Sequence, residues 1–180
     1  MSKTKQLVIL SLLMALQVVI SMQYIPVGEN LRIYFTYLVV VIVAAVFPLK
    51  IALAYAAIED IVAFIAFPSG PFFLGYTLTA VASMLIYSLC LYRHVSIKRI
   101  IIAKTMVNLF VNVGLNSIWS ATLYSKGYIY YLVKSFIKNI TLLPFEIILI
   151  IIFLKIIKPL LIKNGISYDW YLIWDIFFVL

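Results

Sequence analysis

The chain has 180 residues, of which 66% are hydrophobic and only 11% are charged. Soluble domains carry about a quarter charged residues, so this composition excludes a soluble enzyme, a nucleic-acid-binding domain and a disordered chain. One bilayer-spanning helix needs roughly 20 apolar residues, so the apolar residues suffice for about six spans and leave no room for a separate soluble domain.

Six hydrophobic segments are separated by proline, glycine and charged residues, which predicts an all-α bundle of six transmembrane helices. The first segment follows Lys3 and Lys5 but lacks the small-x-small cleavage site of a signal peptide, so we interpret it as a retained helix. The last segment has 35 residues and exceeds the hydrocarbon thickness, so its first turns are expected to protrude or to line a cavity. In chain order the predicted helices are 6–24, 33–47, 51–67, 72–92, 100–124 and 128–162.

The distribution of lysine and arginine predicts the orientation of the bundle. With the N-terminus inside, nine basic residues fall on the inner side and three or four on the outer side, so both termini are expected in the cytoplasm. We assign residues 1–165 to one six-helix transmembrane domain and 166–180 to an aromatic tail that is too short to span and is interpreted as interfacial. The inner set is Lys3, Lys5, Lys50, Arg93, Lys98, Arg99, Lys155, Lys158 and Lys163, and the outer set is Arg32, Lys126, Lys134 and Lys138.

Polar side chains within the segments recur every three or four residues in the predicted outer half, so each set shares one helical face. Polar groups in hydrocarbon usually face a bundle interior or a cavity. The stripes therefore predict an outward-opening pocket for a flat, anionic, heteroaromatic ligand, with Glu59 and Asp60 contributed by the third segment. The stripes are Tyr76, Thr79, Ser83 and Tyr87 in the fourth segment, Asn108, Asn112, Asn116 and Trp119 in the fifth, and Lys134, Lys138, Thr141 and Phe145 in the sixth, with Asn139 beside them.

Structural roles stay open for these residues. Asparagine, threonine and serine also hydrogen-bond across helices simply to hold a bundle together. For Lys138 the alternative to ligand binding is to reach the interface or to pair with Asp60, and for Arg32 and Lys134 it is to anchor helix ends at the interface.

The sequence favours binding over catalysis. It offers no nucleophile with its base, no aspartate dyad and no metal-ligand cluster, so no cofactor or metal ion is expected. In the first helix, Ser11 and Ala15 form a small-xxx-small pair that lets another helix approach closely, whether an internal neighbour or a partner protein.

Residues 67–80 read FPSGPFFLGYTLTA and resemble the Pro-x-Gly-Pro-aromatic-Phe-x-Gly-aromatic-Thr-Leu-Thr signature of one membrane-protein family. That family comprises the substrate-binding S components of energy-coupling factor (ECF) vitamin transporters, and the signature is that of its folate-specific branch. The resemblance covers residues 5–161. Supporting stretches are Arg32-Ile33-x-Phe35, Asn112 with Leu115-Asn116-Ser117-x-Trp119, and Ile137-Lys138-Asn139 followed by Leu143-Pro144.

The resemblance implies high-affinity capture of folate or a related pterin at a bacterial cell membrane, in a pocket covered by the loops after the first and third helices. It also implies a membrane scaffold subunit, contacted by Ser11 and Ala15, and two ATP-hydrolysing subunits. Uptake would depend on those partners, because the chain has no Gly-x-x-x-x-Gly-Lys-Ser/Thr phosphate loop. The alternatives are another vitamin in the same architecture or, from another class, a small membrane enzyme or pore.

The expected roles combine the resemblance with side-chain chemistry. Asparagine amides match the donors and acceptors of a pterin edge, Asp60 accepts from its amino-pyrimidine edge, and aromatic residues stack on the rings. Basic residues hold the anionic tail, although Lys134 stands where the family commonly has an arginine, which pairs better with carboxylates. The expected substrate-binding set is Arg32, Asp60, Phe72, Tyr76, Thr79, Asn112, Asn116, Trp119, Lys134, Lys138 and Asn139.

Overall fold

The computed structural model describes residues 2–26, 32–68, 72–124, 127–163 and 169–171. Four of the six helices in this part of the chain are long and apolar enough to cross a membrane, which is consistent with the predicted all-α membrane bundle. The second helix has 10 residues, and the third has 18 but includes Lys50, Glu59 and Asp60. The helices are α1 (Lys3–Ser21), α2 (Tyr37–Val46), α3 (Leu49–Ala66), α4 (Leu74–Leu91), α5 (Ile97–Leu123) and α6 (Tyr128–Lys163).

In the described segments, two pairs of short strands accompany the helices. Between α1 and α2, β1 (Tyr24–Pro26) pairs antiparallel with β2 (Arg32–Tyr34), and the Tyr24 and Tyr34 rings lie 5.8 Å apart. Beyond α4, β3 (His94–Ser96) pairs in parallel with β4 (Asp169–Tyr171). The rest of the aromatic tail lies outside the described residues, so its interfacial position stays a prediction.

The short helix α2 fills the centre of one half of the bundle. Val39 and every residue from Val41 to Phe47 are buried, as expected for a helix that is apolar on all sides. It packs against α4 and also against α1, α3 and α6. Ten residues rise only about 15 Å, which is about half of the hydrocarbon thickness. The space beyond Tyr37, the first residue of α2, is therefore enclosed by the surrounding helices and not filled by α2.

Helix α5 changes its winding in the middle. Its ends, Ile97–Met106 and Asn116–Leu123, are α-helical, whereas Val107–Leu115 forms a π-helix. Stretches of π-helix are rare and are frequent at functional sites. The sequence pattern predicted a uniform helix, and this stretch carries Asn108 and Asn112.

Candidate ligand-binding cavity

The bundle surrounds a cavity of about 910 Å³ beyond the N-terminus of α2. This volume lies within the range of about 300–1,000 Å³ that is usual for small-molecule sites. All six helices and the β1–β2 hairpin contribute lining residues, among them Gln17, Tyr34, Tyr37, Tyr76 and Leu142. The β1–β2 hairpin and the start of α2 therefore both border the cavity.

Most of the residues predicted to bind a ligand line this cavity. Trp119 and Lys134 are not part of the lining, and the side chain of Arg32 lies outside the described residues, although its backbone belongs to β2. The predicted residues in the lining are Asp60, Phe72, Tyr76, Thr79, Asn112, Asn116, Lys138 and Asn139.

Trp119 supports the cavity wall from behind. Its indole Nε1 donates to the Thr79 hydroxyl at 3.1 Å, and that hydroxyl lies 3.2 Å from Asn116 Oδ1. The single proton of the Thr79 hydroxyl is shared between Asn116 Oδ1 and the Gly75 carbonyl, which lies 3.0 Å away. Trp119 therefore helps to fix the positions of Thr79 and Asn116, which line the cavity. This geometry does not favour the expected stacking of the Trp119 ring on a ligand.

Gly75 allows this close packing. A Cβ atom at Gly75 would lie 2.2 Å from the Phe73 ring and 2.8 Å from the Trp119 ring, so a side chain here would displace both. The Phe73 and Trp119 rings are 5.5 Å apart at 66°, an edge-to-face contact of the favoured kind. Beside them, Phe72 packs on Phe64 with ring centroids 5.0 Å apart, and both rings line the cavity.

The stripe predicted for the sixth segment is partly wrong. Lys138 lines the cavity, but Thr141 and Phe145 are exposed, and the Thr141 hydroxyl donates to the Ile137 carbonyl one turn back. The Lys134 ammonium lies 5.7 Å from the centroid of the Tyr130 ring. Two stripes of helical spacing overlap in this helix, and the one that faces inward comprises Ser135, Lys138, Asn139, Leu142 and Glu146.

A buried ion pair lies at the end of the cavity nearest α2, and the sequence analysis missed it. Lys104 Nζ lies 3.2 Å from Glu146 Oε2 and 4.0 Å from the centroid of the Tyr37 ring. Both charged residues line the cavity and are buried, with 2% of Lys104 and 8% of Glu146 exposed. The signal was present, because Lys104 extends the asparagine stripe of Asn108 and Asn112 by one turn.

The wall formed by α3 and α1 is acidic and amide-rich. Glu59 and Asp60 both line the cavity, and Asp60 Oδ2 accepts from the Thr77 hydroxyl at 2.6 Å. Asp60 therefore takes a threonine partner rather than Lys138. Gln17, a lining residue that the sequence analysis did not single out, accepts from the Tyr55 hydroxyl at 3.1 Å.

The opposite side of α1 is open. Gln17 is the one buried residue of this helix, and Ser11 and Ala15 are both exposed. Within the described part of the chain, the small-xxx-small pair is therefore not packed against an internal neighbour.

Comparison with known proteins now decides the family. No protein-family model matches the chain. The folate transporter FolT of Leuconostoc mesenteroides, however, is 34% identical over 152 residues, which cover 80% of this chain and 81% of that protein. The chain belongs to the FolT family of folate transporters. FolT of Clostridium novyi is 26% identical over 168 residues, which cover 93% of this chain and 98% of that protein.

A solved structure supports the same assignment. A crystal structure of FolT bound with folic acid matches with a TM-score of 0.74 at 26% identity, over 82% of this chain and 89% of that one. The resemblance to folate-specific S components is thereby confirmed, and the chain is a member of a membrane transporter family and not an enzyme.

In this member of the FolT family, the described charges of the cavity lining are divided between two walls. The α3 wall carries two carboxylates, Glu59 and Asp60, whereas the α5–α6 wall carries two lysines, Lys104 and Lys138, and the carboxylate of Glu146. Such a division matches a ligand that has N–H donors at one part and anionic groups at another.

Proposed function

We propose that the chain captures folate, or a closely related pterin, from outside the cell as the substrate-binding S component of an ATP-driven ECF transporter. The observation that carries this proposal is a cavity of about 910 Å³ with amide, carboxylate and lysine side chains, in a fold that matches FolT bound with folic acid. Folate combines a flat, hydrogen-bonding head with an anionic tail, and the divided charges of the lining suit both parts.

The proposed location is the cell membrane of a bacterium, with several membrane crossings, both termini in the cytoplasm and the cavity open to the outside. The basic residues support this orientation, because Lys3, Lys50, Lys98 and Lys163 lie at helix ends remote from the cavity-facing hairpin. Lysines and arginines are retained on the cytoplasmic side of membrane proteins.

Side-chain chemistry assigns roles within the cavity. Lys138, with Arg32 and Lys134 nearer the mouth, binds the carboxylates of the ligand. Asp60 retains one carboxylate oxygen beyond the one that Thr77 occupies, and it accepts from an N–H group. Tyr76 and Phe72 contact the aromatic rings, and the polar groups of Thr79, Asn112, Asn116 and Asn139 complete the binding set.

Titration of the purified protein with folate tests the binding proposal. A ligand at 100 times its dissociation constant stabilises the folded state by about 2.7 kcal/mol, so folate should raise the unfolding temperature while unrelated vitamins do not. Asn116→Ala and Lys138→Ala should each weaken folate binding about tenfold or more, as loss of a buried polar contact predicts. Thr141→Ala is the matched control, because Thr141 is exposed on the same helix as Lys138.

The outcomes of this titration are distinct. Unchanged affinity in Asn116→Ala and Lys138→Ala would remove both residues from the site. A larger shift with another vitamin would replace folate within the same architecture, and no shift with any vitamin would contradict capture by this cavity.

The proposed partners are a membrane scaffold subunit, which contacts Ser11 and Ala15, and two ATPase subunits. Substituting both residues with leucine should prevent co-purification with the scaffold but leave folate binding intact, because both side chains point away from the cavity-lining Gln17. Labelled folate should enter cells only when scaffold and ATPases are co-expressed. Uptake by this chain alone would contradict the proposal and favour an autonomous carrier or pore.

A further inference from the structure

A chain of hydrogen bonds connects the buried ion pair to the cavity wall. Asn108 Nδ2 donates to Glu146 Oε2 at 2.8 Å, and Asn112 Nδ2 donates to Asn108 Oδ1 at 3.0 Å. Lys104 Nζ lies 3.2 Å from the same Oε2 atom. Asn108 is buried behind the wall, whereas Asn112 lines the cavity. The relay therefore ends at an amide that a ligand can reach.

The charged end of this relay fixes its direction. A carboxylate that is paired with a lysine ammonium only accepts hydrogen bonds, so Asn108 presents its NH₂ group to Glu146. Its carbonyl oxygen then faces Asn112, and only the NH₂ group of Asn112 can donate to that oxygen. Asn112 Oδ1 accepts no hydrogen bond from the described residues, and the relay prevents it from exchanging places with the NH₂ group. An asparagine without such neighbours could rotate its amide and present either group.

A fixed acceptor in the wall restricts which part of a ligand lies opposite it. A carboxylate there would place lone pairs against a lone pair, and two polar groups would lose their hydrogen bonds on leaving water. The ligand group at Asn112 must therefore carry an N–H. In the pterin head of folate, the ring nitrogen next to the 4-oxo group carries one. Replacing the 4-oxo group by an amino group removes that ring proton and exposes a lone pair instead.

We propose that the Lys104–Glu146 pair, acting through Asn108, sets Asn112 as a hydrogen-bond acceptor, that Asn112 Oδ1 faces the ring nitrogen next to position 4 of the pterin, and that Asn112 thereby selects 4-oxo over 4-amino pterins. This inference rests on the proposed binding of folate. Asn112 contacts the ligand, whereas Lys104, Glu146 and Asn108 are positioning residues that act through it.

The first test compares folate with aminopterin, which differs from folate only at position 4 of the ring. At mildly alkaline pH the diamino ring is unprotonated, and aminopterin should bind the protein roughly ten- to a hundredfold more weakly than folate, as one unpaired polar contact predicts. Equal affinities would overturn the inference but leave the proposed function standing. Absence of folate binding would instead overturn the proposed function.

The second test releases the amide of Asn112. Asn108→Leu is close to isosteric and keeps Lys104 with Glu146, but it removes the contact that orients Asn112. Aminopterin should then bind about fivefold or more tightly than it binds the unaltered protein, while folate affinity changes little, because the free amide can turn its NH₂ group to the ring nitrogen. A purely structural role for Asn108 would weaken both ligands equally and preserve their ratio, and that result would overturn the inference.

A control and a second variant accompany this test. Tyr55→Phe removes another buried hydrogen bond, the one to Gln17. It lies on the far side of the bundle, so it should leave the ratio of folate affinity to aminopterin affinity unchanged. The double variant Lys104→Met with Glu146→Gln removes the charges that direct the relay, and the ratio should fall as in Asn108→Leu. Asn112→Leu removes the acceptor itself and should also abolish selection. Full selectivity in either the double variant or Asn112→Leu would overturn the inference.

Discussion

The two halves of the bundle share the same surrounding helices but differ in what fills their centre. In the sealed half, which contains α2, buried aliphatic side chains such as Ile42, Leu91 and Leu154 close the interior. In the cavity half, the described part of α2 contributes Tyr37 and Val40 to the lining, and α3, α5 and α6 present carboxylates, amides and lysines to an open space. A helix of 10 residues spans about half of the hydrocarbon thickness. Because α2 is short, the bundle has a packed core where α2 lies and a cavity beyond the N-terminus of α2.

This comparison explains why so many polar groups are tolerated at membrane depth. Asp60, Asn112 and Lys138 line the cavity. Polar side chains at membrane depth are stable when they face a cavity or the bundle interior rather than lipid. At the boundary between the halves, the Lys104–Glu146 pair lies against Tyr37, the first residue of α2. The boundary therefore holds two buried charged side chains in contact with each other.

The largest contrast is expected from placing the same aromatic ring in each half. Ala80→Phe adds a ring to the cavity lining and should weaken folate binding roughly a hundredfold or more, with little change in unfolding temperature, because it occupies ligand volume. Ala45→Phe adds it to a fully buried position and should destabilise the fold by about 1–3 kcal/mol, the usual cost of overpacking. Folate titration and thermal unfolding of both variants measure the contrast. Similar behaviour of the two variants would mean that the halves are not packed differently.

The largest effect on the stability of the fold is expected at the boundary. Glu146→Leu leaves the Lys104 ammonium buried without its partner, which should lower the free energy of unfolding by about 3–5 kcal/mol. Adding Lys104→Met should recover most of that loss, because no buried charge is then unpaired. Thermal unfolding of the single and double variants measures this recovery, and equal stability of the two would show that an unpaired Lys104 ammonium costs no stability here.

A smaller effect is expected where α4 meets α5 in the cavity half. Gly75→Ala must displace the Phe73 and Trp119 rings, so it should cost about 1–3 kcal/mol of stability and weaken folate binding. Gly114→Ala is the matched control, since the atom nearest to its added Cβ lies at an ordinary 3.7 Å. Equal unfolding temperatures and equal folate affinities in Gly75→Ala and Gly114→Ala would contradict this account.

The smallest effect is expected from one shared hydroxyl. Thr79→Val removes the group that links Trp119 to Asn116, and folate affinity should fall about fivefold, in line with about 1 kcal/mol for one hydrogen bond. Thr141→Val is the control, because Thr141 is exposed and its hydroxyl donates to the Ile137 carbonyl of the same helix. Equal titration curves for both variants and the unaltered chain would exclude a role for the Thr79 hydroxyl.

Sequence reasoning succeeded where one helix carries one polar face. The stripe Tyr76, Thr79, Ser83 and Tyr87 in α4 lies in the cavity lining as predicted. It failed in α6, where two overlapping stripes are equally good by spacing, and the structure chooses the one that includes Glu146. It also missed the π-helix of α5, since spacing rules assume 3.6 residues per turn throughout.

The sequence by itself determined the number of helices, their approximate bounds, the membrane environment and the transporter family. These properties depend on local hydrophobicity over about 20 residues and on a contiguous motif, so they can be read along the chain. The tertiary structure alone decided that Lys104 pairs with Glu146, that Trp119 stands behind the wall, and that Asn108 donates to Glu146 while it accepts from Asn112. These depend on partners far apart in sequence, such as Asn108 and Glu146 at a separation of 38 residues, which only the packing of helices brings together.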